Sequence, residues 1–215
     1  MHFFDRHYKK GLLWYRTFFP LKYVHGSRVT GEASPSYLFH PVVAKRIHEN
    51  LPDVKLIAVL RNPVDRAYSH YQHTKRKGFE ELSFAEALAE EAERTAGEEE
   101  RMLEDPEYHS HAFYAYSYVA RGLYARQLER YFELFDRGQV YVVQSEVMLS
   151  NPQQVVDEVS RFLDLEPRPI ADVRVRNRGN YERKRTREHE MLYERFREPN
   201  EALFRLIGKH FDWDG

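Results

Sequence analysis

The stretch Val54–Tyr71, VKLIAVLRNPVDRAYSHY, constrains this chain more than any other. Its apolar run, Val54 and Leu56–Leu60 interrupted only by Lys55, has the length and β-branched content of a strand buried on both faces, as in a parallel sheet. Helix-start chemistry follows at once: Asn62 suits the N-cap, Pro63 the first helical position, and Asp65 the third, a box-like cap. Arg61 therefore stands at the carboxyl end of a strand, beside a helix N-terminus with free backbone N–H groups. In an open α/β sheet ligands bind there, and the helix end favours anions. Ser69 follows eight residues after Arg61, about two turns into the helix. A strand-end arginine or a helix serine is ordinary by itself. Placed together across a capped turn, they suit a phosphate.

Around this unit the sequence spaces further elements. Asp5 is expected to cap a helix carrying Tyr8, Leu12, Tyr15 and Phe18/Phe19, ended by Pro20. Val24–Glu32 reads as a short strand, Ala33–Ser36 as loop, and Val42–Leu51 as a helix after Pro41. Ser83 and Glu86 form a capping box that opens helix Phe84–Thr95. The acidic run Gly97–Glu107 reads as a mobile loop or surface excursion. Ser117–Phe135 is expected to be one amphipathic helix, Val140–Val143 a second buried strand, and Gln153–Leu163 a helix. Arg174–Arg187 is a glycine-containing basic loop, and Thr186–His210 a helix broken near Pro199. Strands alternating with helices give an α/β class, a mostly parallel sheet flanked by helices. With no internal repeat and no linker, residues 1–215 form one domain.

Composition narrows the chemistry. The 215 residues carry a formal net charge of −1, which argues against a general nucleic-acid or membrane coat. Cysteine is absent, which excludes disulfides, thiolate metal sites and a cysteine nucleophile. No apolar run approaches the ~20 residues of a membrane span, and no hydrophobic leader is visible, so a cytoplasmic protein is the expectation. The 11 histidines show no metal-ligand spacing, so no metal is expected. Neither a G-x-x-x-x-G-K-[ST] loop nor a G-x-S-x-G elbow occurs. Two basic elements could converge on one anion: the Arg61/Ser69 pair and the loop around Gly179, where a glycine beside Arg178 and Asn180 lets backbone N–H groups approach a phosphate.

Here a resemblance enters. RNPVDRAYSHY is similar to the 3′-phosphate-binding motif of sulfotransferases, R-[ND]-P-x-[DE]-R-x-x-S-x-[YW], and meets every position of it between Arg61 and Tyr71. HFFDRHYKKGLLWYRTFFP, GEASPSYLFHP, RGLYARQLERY, SEVMLSNPQQVVDEVSRFLDL and NEALFRLIGKHFDWD resemble further blocks of the bacterial and heparan-sulfate-type members. The resemblance implies a P-loop-NTPase-like sulfotransferase fold. It also implies transfer of a sulfuryl group from 3′-phosphoadenosine 5′-phosphosulfate to a hydroxyl or amine of a carbohydrate or small molecule.

Carried over, Arg61 and Ser69 hold the 3′-phosphate, Arg178, Gly179 and Tyr181 close over the phosphates, and His2, Glu32 and Ser34 lie near the transferred group or acceptor. Ala33 stands where many relatives have a lysine. By the same resemblance the family's first strand, 5′-phosphosulfate loop and glutamate base would precede Met1. The expectation is thus a chain that is truncated, mis-started or inactive, with unknown catalytic residues and an apolar sheet edge prone to self-association. Two other readings stay open: a non-catalytic nucleotide-phosphate binding module, and an RNA- or protein-interaction domain using residues 174–187.

Overall fold

The computed structural model describes residues 1–20, 29–171 and 186–213. Arg178, Gly179 and Tyr181 lie outside the described residues, as do most of the basic loop and residues 24–28 of the expected strand Val24–Glu32. Val29–Glu32 is irregular rather than extended in a sheet. In chain order come α1 (Phe3–Arg6), a 3₁₀ turn (Tyr8–Lys10), α2 (Gly11–Arg16), α3 (Val43–Asn50), β1 (Leu56–Leu60) and α4 (Pro63–Arg76). There follow α5 (Phe84–Arg94), α6 (Glu98–Glu104), α7 (His111–Tyr116), a 3₁₀ turn (Ala120–Gly122) and α8 (Tyr124–Phe132). A 3₁₀ turn (Arg137–Gln139) leads into β2 (Val140–Gln144), then α9 (Ser145–Ser150), α10 (Pro152–Phe162) and α11 (Arg187–Ile207). The class is mixed α/β, mostly helical around a small parallel sheet.

β1 and β2 pair in parallel, Leu56 opposite Val140 through Leu60 opposite Gln144. Parallel neighbours need a long crossover, and here it carries α4 to α8. Leu60 and Val142 turn into a core with Leu128, Leu203, Phe211 and Trp213. On the other face Tyr141 stacks on Phe162 of α10 at 5.2 Å. β1 is not buried on both faces as its apolar run suggests: Ile57 is 41% and Val59 49% exposed. Strand side chains alternate, so Ile57 and Val59 share the face opposite Leu60.

Four other expectations are corrected by particular contacts. Asp5 does not cap one long helix. It sits inside the short α1, and Gly11, at φ 75°, turns the chain between the 3₁₀ turn and α2. Phe3 and Phe4, both buried, anchor α1 in an aromatic cluster with Tyr15, Val43, Ile47, Tyr131 and Phe135. The acidic run is helical as α6, because Met102, fully buried, packs on Phe39 and Phe113. The 117–135 helix begins only at Tyr124, since the Glu91 carboxylate accepts from the Val119 and Ala120 N–H groups at 2.6 and 2.8 Å and fixes a turn there. α11 passes through Pro199 unbroken: Phe196 and Leu203, both buried, pin the helix on either side of the lost hydrogen bond.

Gly122 marks the closest approach in the crossover. A Cβ there would lie 2.8 and 2.9 Å from Phe196 ring atoms and 3.0 Å from Pro63 Cβ. Only glycine lets this turn wedge between the start of α4 and α11. Gly122→Ala is expected to cost about 1–3 kcal/mol in urea melts, and Phe196→Leu in the same chain to recover part of that loss. An additive double mutant would refute the wedge.

His40 is a buried polar group of the same interior, 2% exposed. Its Nδ1 accepts from the Val42 N–H at 3.3 Å. Burial first, then Arg46, His109 and Arg130, depress its pKa from 6.5 to about 4, against the pull of Asp5. The unfolded chain therefore takes up a proton that the folded chain refuses. This contribution is complete above pH 6.5 and is lost as pH falls toward about 4. It amounts to about 3 kcal/mol. Urea melts of His40→Asn should show a flatter loss of stability across that window than the wild type. Parallel slopes would contradict the assignment.

Candidate functional site

The turn between β1 and α4 is built from four sides. The Asn62 side chain accepts from the Val64 and Asp65 N–H groups at 2.9 and 3.4 Å, the cap expected of it. The Asn62 N–H, which a capping box would give to Asp65, goes to Glu146 Oε1 at 2.9 Å. Asn62 Nδ2 donates to the Trp213 carbonyl at 3.2 Å, and Trp213 Nε1 donates to Glu146 Oε2 at 3.3 Å. Tyr124 donates its hydroxyl to the Arg61 carbonyl at 2.9 Å. The first-turn amides of α4 are thus occupied rather than free, because the Asn62 cap and Glu146 satisfy them. An anion at this turn is left to side chains.

Arg61 supplies the fork. Its guanidinium meets Asp65 at 3.5 Å, with both side chains 29% exposed. So long and solvated a pair is weak, and it leaves most of the five donors of Arg61 available. Ser69 is half-buried on the same 14-residue helix, about 9 Å of helical rise beyond Pro63. Glu146, Tyr124 and Trp213 are residues that sequence reasoning did not single out for the site. They stand within resemblance blocks, but only the fold brings them to one turn.

The three residues expected near the acceptor come together at the other end of the chain. The His2 N–H donates to Ser34 Oγ at 3.2 Å, and Ser34 Oγ donates to Glu32 Oε2 at 3.5 Å. The Tyr37 hydroxyl donates to Glu32 Oε1 at 3.0 Å and accepts from the Phe4 N–H at 3.1 Å. His2 holds a left-handed backbone, φ 58°, a costly conformation for a residue with a Cβ. His2 Nδ1 lies 2.8 Å from Asp5 Oδ2, to which the Ser36 hydroxyl also donates at 2.6 Å.

Burial would raise the Asp5 carboxyl. Its bonds from Ser36 and His2, with the field of His2 and His40, outweigh that and leave it below the usual range. An ionised Asp5 can only accept, so His2 Nδ1 is the donor of this bond. Asp5 and Ser36 are the residues missed here. Asp5 reads from sequence as a cap, and its partner is 31 positions away. Arg46 pins this corner, donating to the Phe4 and Pro106 carbonyls at 2.8 and 2.7 Å.

A concavity of about 270 Å³ lies elsewhere, lined by Phe39, Gly97, Glu99, Arg126 and Arg130. Its charges compensate one another, since Glu99 pairs with Arg126 and Arg130 at 3.0 and 3.1 Å. Among the described residues no cluster of His, Asp or Glu could hold a metal ion, and no helix is long and apolar enough to cross a membrane.

Comparison with known proteins agrees with this architecture. The sulfotransferase domain model matches residues 2–213. Human heparan sulfate glucosamine 3-O-sulfotransferase 6 is 35% identical over 169 residues, covering 76% of this chain and 43% of that protein. Mouse heparan sulfate glucosamine 3-O-sulfotransferase 3A1 is 30% identical over 246 aligned positions, covering 100% of this chain and 56% of its own length. The chain thus spans about half the length of these curated relatives. The crystal structure of a sulfotransferase from Alicyclobacillus acidocaldarius superposes with a TM-score of 0.72 at 34% identity, over 94% of this chain and 72% of that one. The strand-end arginine, the capped helix with its serine and the match along the chain have one reading: this chain belongs to the sulfotransferase domain family.

Proposed function

We propose that the protein transfers a sulfuryl group from 3′-phosphoadenosine 5′-phosphosulfate to a hydroxyl of a carbohydrate. The observation that carries this reading is the Arg61–Asn62 turn. The turn that carries the forked cation at the end of β1 is held by Glu146, Tyr124 and Trp213, and Ser69 stands two turns along the capped helix. The nucleotide fits this turn because Arg61 is short of a strong partner while every neighbouring amide has one. Arg61 and Ser69 hold its 3′-phosphate as side-chain donors. When bound, the donor supplies an activated sulfuryl group on a good leaving group.

The rest of the work belongs to the chain's own residues. Sulfuryl transfer spreads charge over equatorial oxygens, so the protein orients the reactants, stabilises negative charge and removes the hydroxyl proton, by analogy with phosphoryl transfer. In this reading His2 accepts that proton through Nε2, the ring nitrogen that Asp5 does not hold. Asp5 holds the ring through Nδ1 and stabilises the cation that forms, the orienting role of a buried carboxylate behind a histidine base. Ser36 keeps Asp5 ionised, and Glu32 with Tyr37 fixes the loop that carries Ser34. The relatives' names point to a glucosamine of heparan sulfate as their acceptor. A carbohydrate hydroxyl is the form in which that carries to this chain.

Calorimetry with adenosine 3′,5′-bisphosphate tests the nucleotide half. Arg61→Ala should weaken binding at least about tenfold, the loss of one charge-assisted fork, without changing the melting temperature by more than a surface substitution does. Unchanged affinity would sink the assignment. A sulfate-transfer assay tests the other half. Asp5→Asn should lower kcat by about 10²-fold or more while bisphosphate affinity stays at the wild-type value. Tight bisphosphate binding by a wild type that shows no turnover would make the chain a nucleotide-phosphate binding module instead.

A further inference from the structure

α5 turns the stripe Phe84, Ala87 and Glu91 inward, so a carboxylate stands where an apolar side chain would bury at less cost. Glu91 serves one segment there. Its two oxygens accept from the Val119 and Ala120 N–H groups at 2.6 and 2.8 Å. Gln127 of α8, also buried, takes the other side of that segment, its Nε2 donating to the Arg121 and Leu123 carbonyls at 3.0 and 3.2 Å. The turn is thus gripped by its amides from α5 and by its carbonyls from α8.

The gripped segment touches the opening of α4 at three points. The Arg66 guanidinium donates to the Tyr118 carbonyl. Gly122 lies against Pro63, with no room for a Cβ between them and Phe196. The Tyr124 hydroxyl donates to the Arg61 carbonyl at 2.9 Å, on the residue whose side chain is the cationic fork. Among the described residues Glu91 hydrogen-bonds neither Arg61 nor Ser69. Two routes therefore lead from Glu91 to the nucleotide turn: mechanically through residues 118–124, or through the field of its charge.

We propose that Glu91, together with Gln127, is a positioning residue for the nucleotide's 3′-phosphate, setting through residues 118–124 the place of the β1–α4 turn that carries Arg61. This rests on the nucleotide reading given above. The two routes differ in sign. Glu91 faces Arg66 of α4 and Arg195 of α11. Removing its charge leaves those cations less compensated, which favours a nearby anion. Loss of position weakens phosphate binding, whereas loss of the field alone strengthens it.

The experiment is calorimetry of the full chain with adenosine 3′,5′-bisphosphate, at a temperature where each variant is folded. Glu91→Gln keeps the side chain's shape but offers one acceptor oxygen to two N–H groups and points an amide donor at the second. It should weaken the bisphosphate about fivefold or more, the scale of coupling carried through a packed network. Gln127→Met, which withdraws the donor on the other side, should change affinity in the same direction. In the Arg61→Ala background Glu91→Gln should cost about twofold or less, because both substitutions act on one contact with the phosphate.

Wild-type affinity in a Glu91→Gln chain that melts at a lower temperature overturns the proposal, since a carboxylate that only stabilises the fold leaves the folded site intact. Tighter binding overturns it in favour of the field. An undiminished loss in the Arg61→Ala background overturns it by placing the effect away from Arg61. Should Glu91→Gln fail to fold, Gln127→Met carries the test, and wild-type affinity in that variant overturns the proposal. A wild type that does not bind the bisphosphate removes the nucleotide reading and this proposal with it. Normal wild-type binding with unchanged affinity in the variants removes the proposal alone.

Discussion

The peptide between Arg61 and Asn62 is the point on which the rest of this structure hangs. A strand cannot enter a helix without a sharp change of direction, and the backbone groups freed by that change must be bonded or they cost stability. Here each is bonded from a different part of the chain. The Arg61 carbonyl accepts from the Tyr124 hydroxyl of α8, and the Asn62 N–H donates to Glu146 in the first turn of α9. The Asn62 amide takes the Trp213 carbonyl near the end of the chain, and its oxygen caps α4. Four segments therefore meet at one turn, and none keeps its position if the turn opens. The same bonds fix the backbone from which the Arg61 side chain projects, so a satisfied turn and a located cation come from one arrangement.

The opposite corner obeys a different constraint. α1 is four residues long, too short to be stable by itself, and it stands because Phe3 and Phe4 are buried while Arg46 holds the Phe4 carbonyl. Burying each of those rings contributes on the order of 1.5–3 kcal/mol. That stabilisation offsets the left-handed backbone of His2 and the burial of Asp5 beside it. A carboxylate in such a place stays ionised only with hydrogen-bond donors in hand, and Ser36 and His2 are those donors. Aromatic packing thus carries the polar corner.

The two corners were legible in the sequence to different degrees. Strand, cap and helix around Arg61 are local: the apolar run, Asn62-Pro63 and Ser69 lie within one short window. The strand, the Asn62 cap and the helix stand where the pattern says, without the two buried strand faces or the free helix-end amides it suggests. Ser83 with Glu86 likewise forms the capping box its spacing announces. Where long-range contacts decide, the local signal misleads. Asp5 reads as a cap because its partner Ser36 is remote, and α6 reads as loop because one methionine among glutamates carries its packing. The periodicity over Ser117–Phe135 hides a turn made by Glu91 from another helix. Pro199 signals a break that Phe196 and Leu203 prevent.

That difference follows from what each half of the site must do. A phosphate is the same on every nucleotide, so a fixed fork on a short, self-contained motif serves it, and such a motif is visible in one window of sequence. An acceptor hydroxyl must be chosen among many and relieved of its proton. The histidine and buried carboxylate proposed for that task come from α1 and its N-cap, with Ser36, the partner of Asp5, from a loop 31 residues on. No short window can hold those groups, because each must be desolvated by residues distant in the chain before its chemistry shifts. Arg61 stands in partial solvent with a weak partner, whereas Asp5 is buried and held ionised by its hydrogen-bond donors.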